Sequence, residues 1–224
     1  MRNRVIAFCG SKGAGKSTSY DIFKTYYEGE IEEIALAGFL KMACAKVFGV
    51  DMEHFTNPEL KEKELEDYVV LSAENVTQLL NLFECEFDNQ THVRPHIGTV
   101  LETPRRVLQY VGTEVLRPID SLIHARIVAK NMNPDVLTVI TDLRFENEFD
   151  FFNAYDSFVP VYVKNSSAEH AASFDQHPSE LGLHKFKTKC VVLNNEGSLQ
   201  DLEGKVKELH EYVVFNHFTG AVSA

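Results

Sequence analysis

RVIAFCGSKGAGKST occupies residues 4–18, and its reading decides the fold. The first six residues form a short apolar run suited to a buried strand. The next eight, GSKGAGKS at 10–17, satisfy G-x-x-x-x-G-K-[S/T] through Gly10, Gly15, Lys16 and Ser17. Residues 16–27 then suit a helix. A strand, a glycine-rich turn and a helix in that order are the setting in which this pattern binds phosphate. Gly10, Gly13 and Gly15 permit backbone angles that turn amide N–H groups inward around an anion, which also meets the helix N-terminus. Ser11, Lys12 and Ala14 complete the loop and Thr18 follows it, so residues 10–18 are the expected ATP-binding stretch. Lys16 is expected to reach the β- and γ-phosphates, and the Ser17 hydroxyl to ligate Mg²⁺.

Around this loop the composition is that of an ordinary globular chain. Its 224 residues are 44 % hydrophobic and 25 % charged, which predicts a single domain over 1–224 with a real core. No apolar run approaches the ~18 residues of a membrane span, and MRNRVIAFCG turns polar too quickly for a secretory signal. The expected location is the cytoplasm. Four cysteines without a CxxC pair read as reduced thiols. The net charge of −11 argues against a nucleic-acid polymer as partner, yet allows a small anion met by a few arginines.

Further strands are expected at 33–36, at VLTVIT (136–141), at FVPVYV (158–163) and at CVVL (190–193), with Pro160 pushing its strand toward an edge or a bulge. Helices are expected at 39–48, 73–83, 103–116, 121–132 and 199–213. ELKEKELED, residues 59–67, reads as a solvated helix laced with i,i+4 pairs. Strands alternating with helices predict an α/β, three-layer architecture with a mainly parallel five-stranded sheet. Residues 37–135 form a helical insert, and the polar stretch at 164–189 a lid-like segment.

Two further constellations suggest what receives the phosphate. In TPRRVLQYVGTEVLR, 103–117, helical spacing stacks Arg105, Gln109 and Gly112 on one face, with Arg106 and Thr113 beside them. Val107, Leu108, Val111 and Val115 gather opposite, as a core face. Paired guanidiniums suit phosphate oxygens, which they bind bidentately. Gly112 in mid-helix costs about 1 kcal/mol against alanine, which predicts a close approach there. The bland alternative is a solvated polar face. In VLTVITDLRFENE, 136–148, Asp142 and Arg144 fall at the carboxyl end of a strand, where α/β sheets place ligands. Asp142 suits the Mg²⁺ shell or an acceptor oxygen, and Arg144 the charge on a phosphoryl group in flight. His92 and His96 have four-residue spacing, but Pro95 between them and the lack of a third ligand argue against a metal site.

GSKGAGKST, PRRVLQYVGTE, DLRFENE, DQHPSELGL (175–183) and LNNEGSLQDL (193–202) follow one another as in bacteriophage-type deoxynucleoside monophosphate kinases of the P-loop superfamily, which the chain resembles over residues 4–210. The resemblance implies that Arg105, Arg106, Gln109, Gly112 and Thr113 line the monophosphate site. It places Asp142, Arg144 and Glu148 between donor and acceptor, and Phe39 with Lys41 on the acceptor side. It assigns Asp175, His177, Ser179 and Glu180 to the lid, and Asn194, Asn195 and Gly197 to the neighbourhood of the donor base. It also implies the cytosol of a phage-infected cell and allows a homodimer. Many relatives carry a tryptophan after the GTE segment; this chain has none, and His124 occupies that region. Transfer of the γ-phosphate of MgATP to a deoxynucleoside monophosphate is the expected reaction. A ribonucleotide or dephospho-coenzyme A acceptor, or hydrolysis of ATP without any acceptor, remain the alternatives.

Overall fold

The computed structural model describes residues 4–172 and 185–218. The chain folds as two compact units, one of Met1–Leu36 with Val128–Ala224 and the other of Ala37–Ile127.

The first unit is built on a parallel sheet. Its strands are β1 (Arg4–Cys9), β2 (Ile31–Ile34), β5 (Leu137–Leu143), β6 (Ser157–Lys164) and β7 (Val191–Asn194), in the order β2-β5-β1-β6-β7. Two short strands numbered between them, β3 (Val69–Val70) and β4 (Val100–Leu101), belong to the second unit. All four neighbouring pairs in the large sheet are parallel. This is the α/β, mainly parallel, five-stranded architecture that the strand-helix alternation predicts. β1 lies at the centre and is buried from Val5 to Cys9, as a strand covered on both faces should be.

Helix α1 (Lys16–Tyr26) packs Tyr20 and Phe23 into this core, beside Ile6, Phe8 and Val159. The closing helix α9 (Leu199–Val213) adds Leu202, Val206, Leu209 and Val213, which recur at helical spacing. It starts at a capping box in which Ser198 Oγ accepts from Asp201 N while the Asp201 carboxylate accepts from Ser198 N. Between them run α7 (Glu146–Asn153) and α8 (Ser166–Ala172).

Pro160 behaves differently from its expectation. β6 is interior, with β1 on one side and β7 on the other. The β7 ladder begins only at Val161, one residue after the proline, so the first half of β6 is bordered by β1 alone. One missing N–H at the start of a ladder disturbs little.

In the second unit, α2 (Gly38–Phe48), α3 (Met52–Thr56), α4 (Ala73–Leu82) and α5 (Pro104–Tyr110) surround a separate core of Leu40, Phe55, Leu79, Leu80, Val107 and Val111. Helix α6 (Ile123–Asn131) starts here with Ile123 buried in that core. The charged run 59–67 is not a helix beyond a single 3₁₀ turn at Leu60–Glu62. Leu65 is buried instead and donates its N–H to Glu102 O at 2.8 Å. Burying one leucine is worth about 1.5–3 kcal/mol, which outweighs several i,i+4 pairs of about 0.2–0.5 kcal/mol each.

Candidate active site

Lys16 lies one residue past Gly15, the N-cap of α1, which adopts the left-handed conformation at φ 97°. Only glycine takes that angle without strain, and a Cβ there would also collide with Asn195 Nδ2. Gly10, at φ 139°, is hemmed in by Val163 O, which a Cβ would meet at 2.5 Å. Asp51, Ser72, Thr103 and Ser198 cap their helices with side chains, while α2 starts at Ala37 without one. α1 starts at a glycine, which has no side chain to cap it, and a helix start of this kind suits an anion.

The loop is held from several directions. Ala14 N donates to Ser11 O at 3.1 Å, and Ser19 Oγ to Gly15 O at 2.8 Å. Asn195, just past β7, donates through Nδ2 to Ala14 O at 2.9 Å, while its own carbonyl accepts from Asn165 Nδ2 at 2.8 Å. The Lys16 ammonium lies over the loop and donates to Gly10 O at 2.7 Å and Ser11 O at 2.9 Å. Lys12, Gly13, Ser17 and Thr18 are not buried, and the Ser17 hydroxyl stands exposed in the first turn of α1.

Asp142 sits near the carboxyl end of β5, the strand next to β1, and its Oδ1 accepts from Leu36 N at 2.6 Å. That bond ties the exit of β2 to β5. Arg144 follows directly after the strand, half-buried. Its backbone N and that of Phe145 donate to Glu148 Oε2 at 3.2 and 3.1 Å. Glu148 is only 2 % exposed, and that oxygen caps the start of α7. It thereby fixes the turn that carries Arg144.

A hydroxyl and a carboxylate are hard oxygen donors, and Mg²⁺ commonly takes only one or two protein oxygens beside substrate phosphates and water. Ser17 and Asp142 fit that requirement. Among the described residues no cluster of three or more His, Cys, Asp or Glu forms an all-protein cage.

The arginine helix lies in the second unit. Thr103 caps α5 through Arg106 N at 3.1 Å, with Pro104 in the first turn. After Tyr110 the helix widens into a π-helical stretch, Val111–Leu116. Arg105 Nε donates to Glu62 Oε1 at 2.6 Å, so the charged run 59–67 supplies a carboxylate to this face. The Arg106 guanidinium lies 5.9 Å from the centre of the Tyr110 ring. Gln109 and Thr113 are half-buried, as is Lys41 on α2. Gly112 is buried, and a Cβ there would come within 3.0 Å of Leu40 Cδ2 and 3.7 Å of His124 Nε2. Those two side chains make the close approach that a mid-helical glycine predicts.

His124 is 6 % exposed, edge-on to Phe83 at 6.0 Å, and its buried Nδ1 has no hydrogen-bond partner. Burial, aided by the nearby Arg117 charge and opposed by a bond to the Gly112 backbone and by Asp120, lowers its pKa to about 4. Below the ordinary 6.5 the unfolded chain takes up a proton that the folded ring refuses until about pH 4. Stability is therefore complete above 6.5 and falls with pH across that window, by up to about 3 kcal/mol. His96 and His210, also lowered by burial, act in the same direction. Urea unfolding at pH 7 and pH 4.5 should show a smaller loss for His124→Phe than for wild type. An equal loss contradicts this origin.

Of the paired histidines, His92 Nδ1 accepts from Asp88 N at 3.0 Å, and His96 Nδ1 bonds the Tyr110 hydroxyl at 3.2 Å. Asp175, His177, Ser179 and Glu180 lie outside the described residues. Beside the loop the sequence reading missed a buried phenol. Tyr162 donates to Glu169 Oε1 at 2.8 Å. Lys187 pairs with the same oxygen at 2.8 Å and lies 4.6 Å from the Tyr162 ring centre. Only the seven-residue spacing of Tyr162 and Glu169, a strand end and the next helix, hinted at it.

Residues 69–206 match the family described as deoxynucleotide monophosphate kinase. The chain belongs to that family. It is thus a phosphotransferase acting on deoxynucleoside monophosphates. A protein of Acanthamoeba polyphaga mimivirus, provisionally named a deoxynucleotide monophosphate kinase, is 28 % identical over 218 residues, 90 % of this chain and 93 % of that one. Among solved structures, a Thermus thermophilus protein aligns at 15 % identity with a TM-score of 0.41, and a dephospho-CoA kinase from Campylobacter jejuni at 11 % with 0.43. Each alignment covers 95 % of this chain and 98 % of the other. Among the described residues no helix is long and apolar enough to cross a membrane.

Proposed function

We propose that this kinase transfers the γ-phosphate of MgATP to a deoxynucleoside monophosphate, giving ADP and the diphosphate. The observation that carries the donor assignment is the uncapped start of α1, where the 10–17 loop turns around Lys16. Loose phosphoryl transfer leaves little covalent work to a protein, so the residues hold, orient and neutralise. The loop amides and Lys16 bind the triphosphate, Lys16 exchanging the carbonyls of Gly10 and Ser11 for phosphate oxygens. Ser17 and Asp142 would hold Mg²⁺, which when bound draws charge from the phosphate oxygens. Arg144 balances the charge on the moving phosphoryl group, from a turn that Glu148 fixes. Asn195 supports the loop and lies toward the donor base.

On the acceptor side Arg105 and Arg106 bind the monophosphate, with Lys41, Gln109, Gly112 and Thr113 around it. Arg105 leaves Glu62 to do so. Arg105→Ala should raise the KM for the monophosphate by one to two orders of magnitude, about 1.5–3 kcal/mol for a charge-assisted bond, and leave the KM for ATP unchanged. Steady-state rates over both concentrations check it. A rise confined to the KM for ATP removes Arg105 from the acceptor site. The enzyme works in the cytoplasm, and a viral setting is in keeping with the mimivirus relative. A homodimer is compatible with this reading.

A further inference from the structure

Two of the cysteines, none of which the transfer uses, lie against each other. Cys9 ends β1 immediately before Gly10, and Cys190 immediately precedes β7. β6 separates those strands in the sheet, yet the two sulfurs are 3.9 Å apart. Each also faces a backbone carbonyl at 3.4 Å, Val161 O for Cys9 and Phe186 O for Cys190. Cys9 is fully buried and Cys190 half-buried, so solvent reaches one member of the pair.

We propose that Cys9 and Cys190 are a redox-sensitive pair, in which peroxide oxidises Cys190 and Cys9 closes a disulfide that shuts down the phosphate loop. The Cys190 thiolate attacks one oxygen of hydrogen peroxide, breaking the O–O bond and leaving a sulfenic acid with hydroxide as the leaving group. The Cys9 sulfur then attacks the sulfenic sulfur; the S–S bond forms, the S–O bond breaks, and water departs. In sum two thiols and one peroxide give one disulfide and two waters. A dithiol reverses it by exchange.

The electrostatics assign the roles. The hydrogen bond from Cys9 lowers the pKa of Cys190, whereas that same contact, together with burial, raises the pKa of Cys9. The accessible sulfur is therefore the more readily ionised one, and thiolate character with access is what peroxide selects. The remaining thiols lack the lowered pKa: burial raises Cys44 strongly and Cys85, half-buried like Cys190, to about 11.

Closing the bond requires the sulfurs to approach from 3.9 Å to about 2.05 Å. Cys9 immediately precedes Gly10, so any share of that shift taken by Cys9 reaches Gly10, whose carbonyl accepts from Lys16 Nζ and which has no room to move toward Val163 O. A misplacement of about 1 Å in such a loop can cost on the order of 10²-fold in rate. The effect on rate rests on the kinase reading; the linkage itself does not.

The test treats the full chain with hydrogen peroxide, blocks remaining thiols and maps linkages by mass spectrometry, measuring ATP affinity and transfer rate on the same samples. A Cys9–Cys190 linked peptide, with kcat/KM for ATP reduced at least about tenfold and restored by dithiothreitol, is the expected result. Cys190→Ser and Cys190→Ala should retain the untreated rate and lose the sensitivity. Oxidation of Cys190 to sulfinic acid without linkage overturns the pair. Linkage with unchanged ATP affinity overturns its coupling to the loop. A reduced enzyme that transfers no phosphate would count against the kinase reading, while the linked peptide would still report on the pair.

Discussion

Lys16→Ala lowers the rate of phosphoryl transfer by about 10²–10³-fold, roughly 3–4 kcal/mol, the usual cost of removing one preorganised charge partner. The fold should survive, because the ammonium's bonds to the carbonyls of Gly10 and Ser11 stay within one loop. Lys16→Arg should not restore the rate, since a planar guanidinium cannot replace a compact ammonium inside a loop of this curvature. Initial rates at saturating ATP, with melting curves beside them, check both statements. A rate within about threefold of wild type, under ~1 kcal/mol, contradicts the donor assignment.

Arg144→Ala has the second large effect, at least about 10²-fold in kcat with little change in either KM. The charge it meets is greatest in the transition state, and binding realised only there appears in kcat. The same turn could impose its geometry through the backbone alone, since Glu148 Oε2 grips the amides of residues 144 and 145. The variant separates these, because alanine keeps the amide and removes the guanidinium. A loss expressed wholly in the KM for the monophosphate would make Arg144 a binding residue instead.

Much of the fold could be read from local pattern. The phosphate loop was legible because its requirements, glycines at positive φ between a strand and a helix, are met within fifteen residues. β1, β5 and β6 were legible because they are largely apolar, mostly buried runs, and α9 because Leu202, Val206 and Leu209 keep helical spacing. What escaped depends on partners distant in the chain. ELKEKELED carries the charge pattern of a helix, but Leu65 is drawn into the core and pairs with Glu102, which no local rule registers. The π-helical stretch Val111–Leu116 departs from a straight 3.6-residue periodicity, and the neighbours of Gly112 within it, Leu40 and His124, are distant in the chain or on the next helix. The pairing of Arg105 with Glu62 spans 43 residues. Cys9 and Cys190 are separated by 181 and meet only because the sheet places β1 and β7 on either side of β6.

The central claim is that this chain moves phosphate from ATP to a deoxynucleoside monophosphate. Its most direct test is ADP release from MgATP with each deoxy- and ribonucleoside monophosphate in turn, and with no acceptor. Release that depends on a deoxynucleoside monophosphate, with the diphosphate formed in equal amount, is the predicted result. Equal release in every tube, the control included, would mean hydrolysis without an acceptor and would contradict the account.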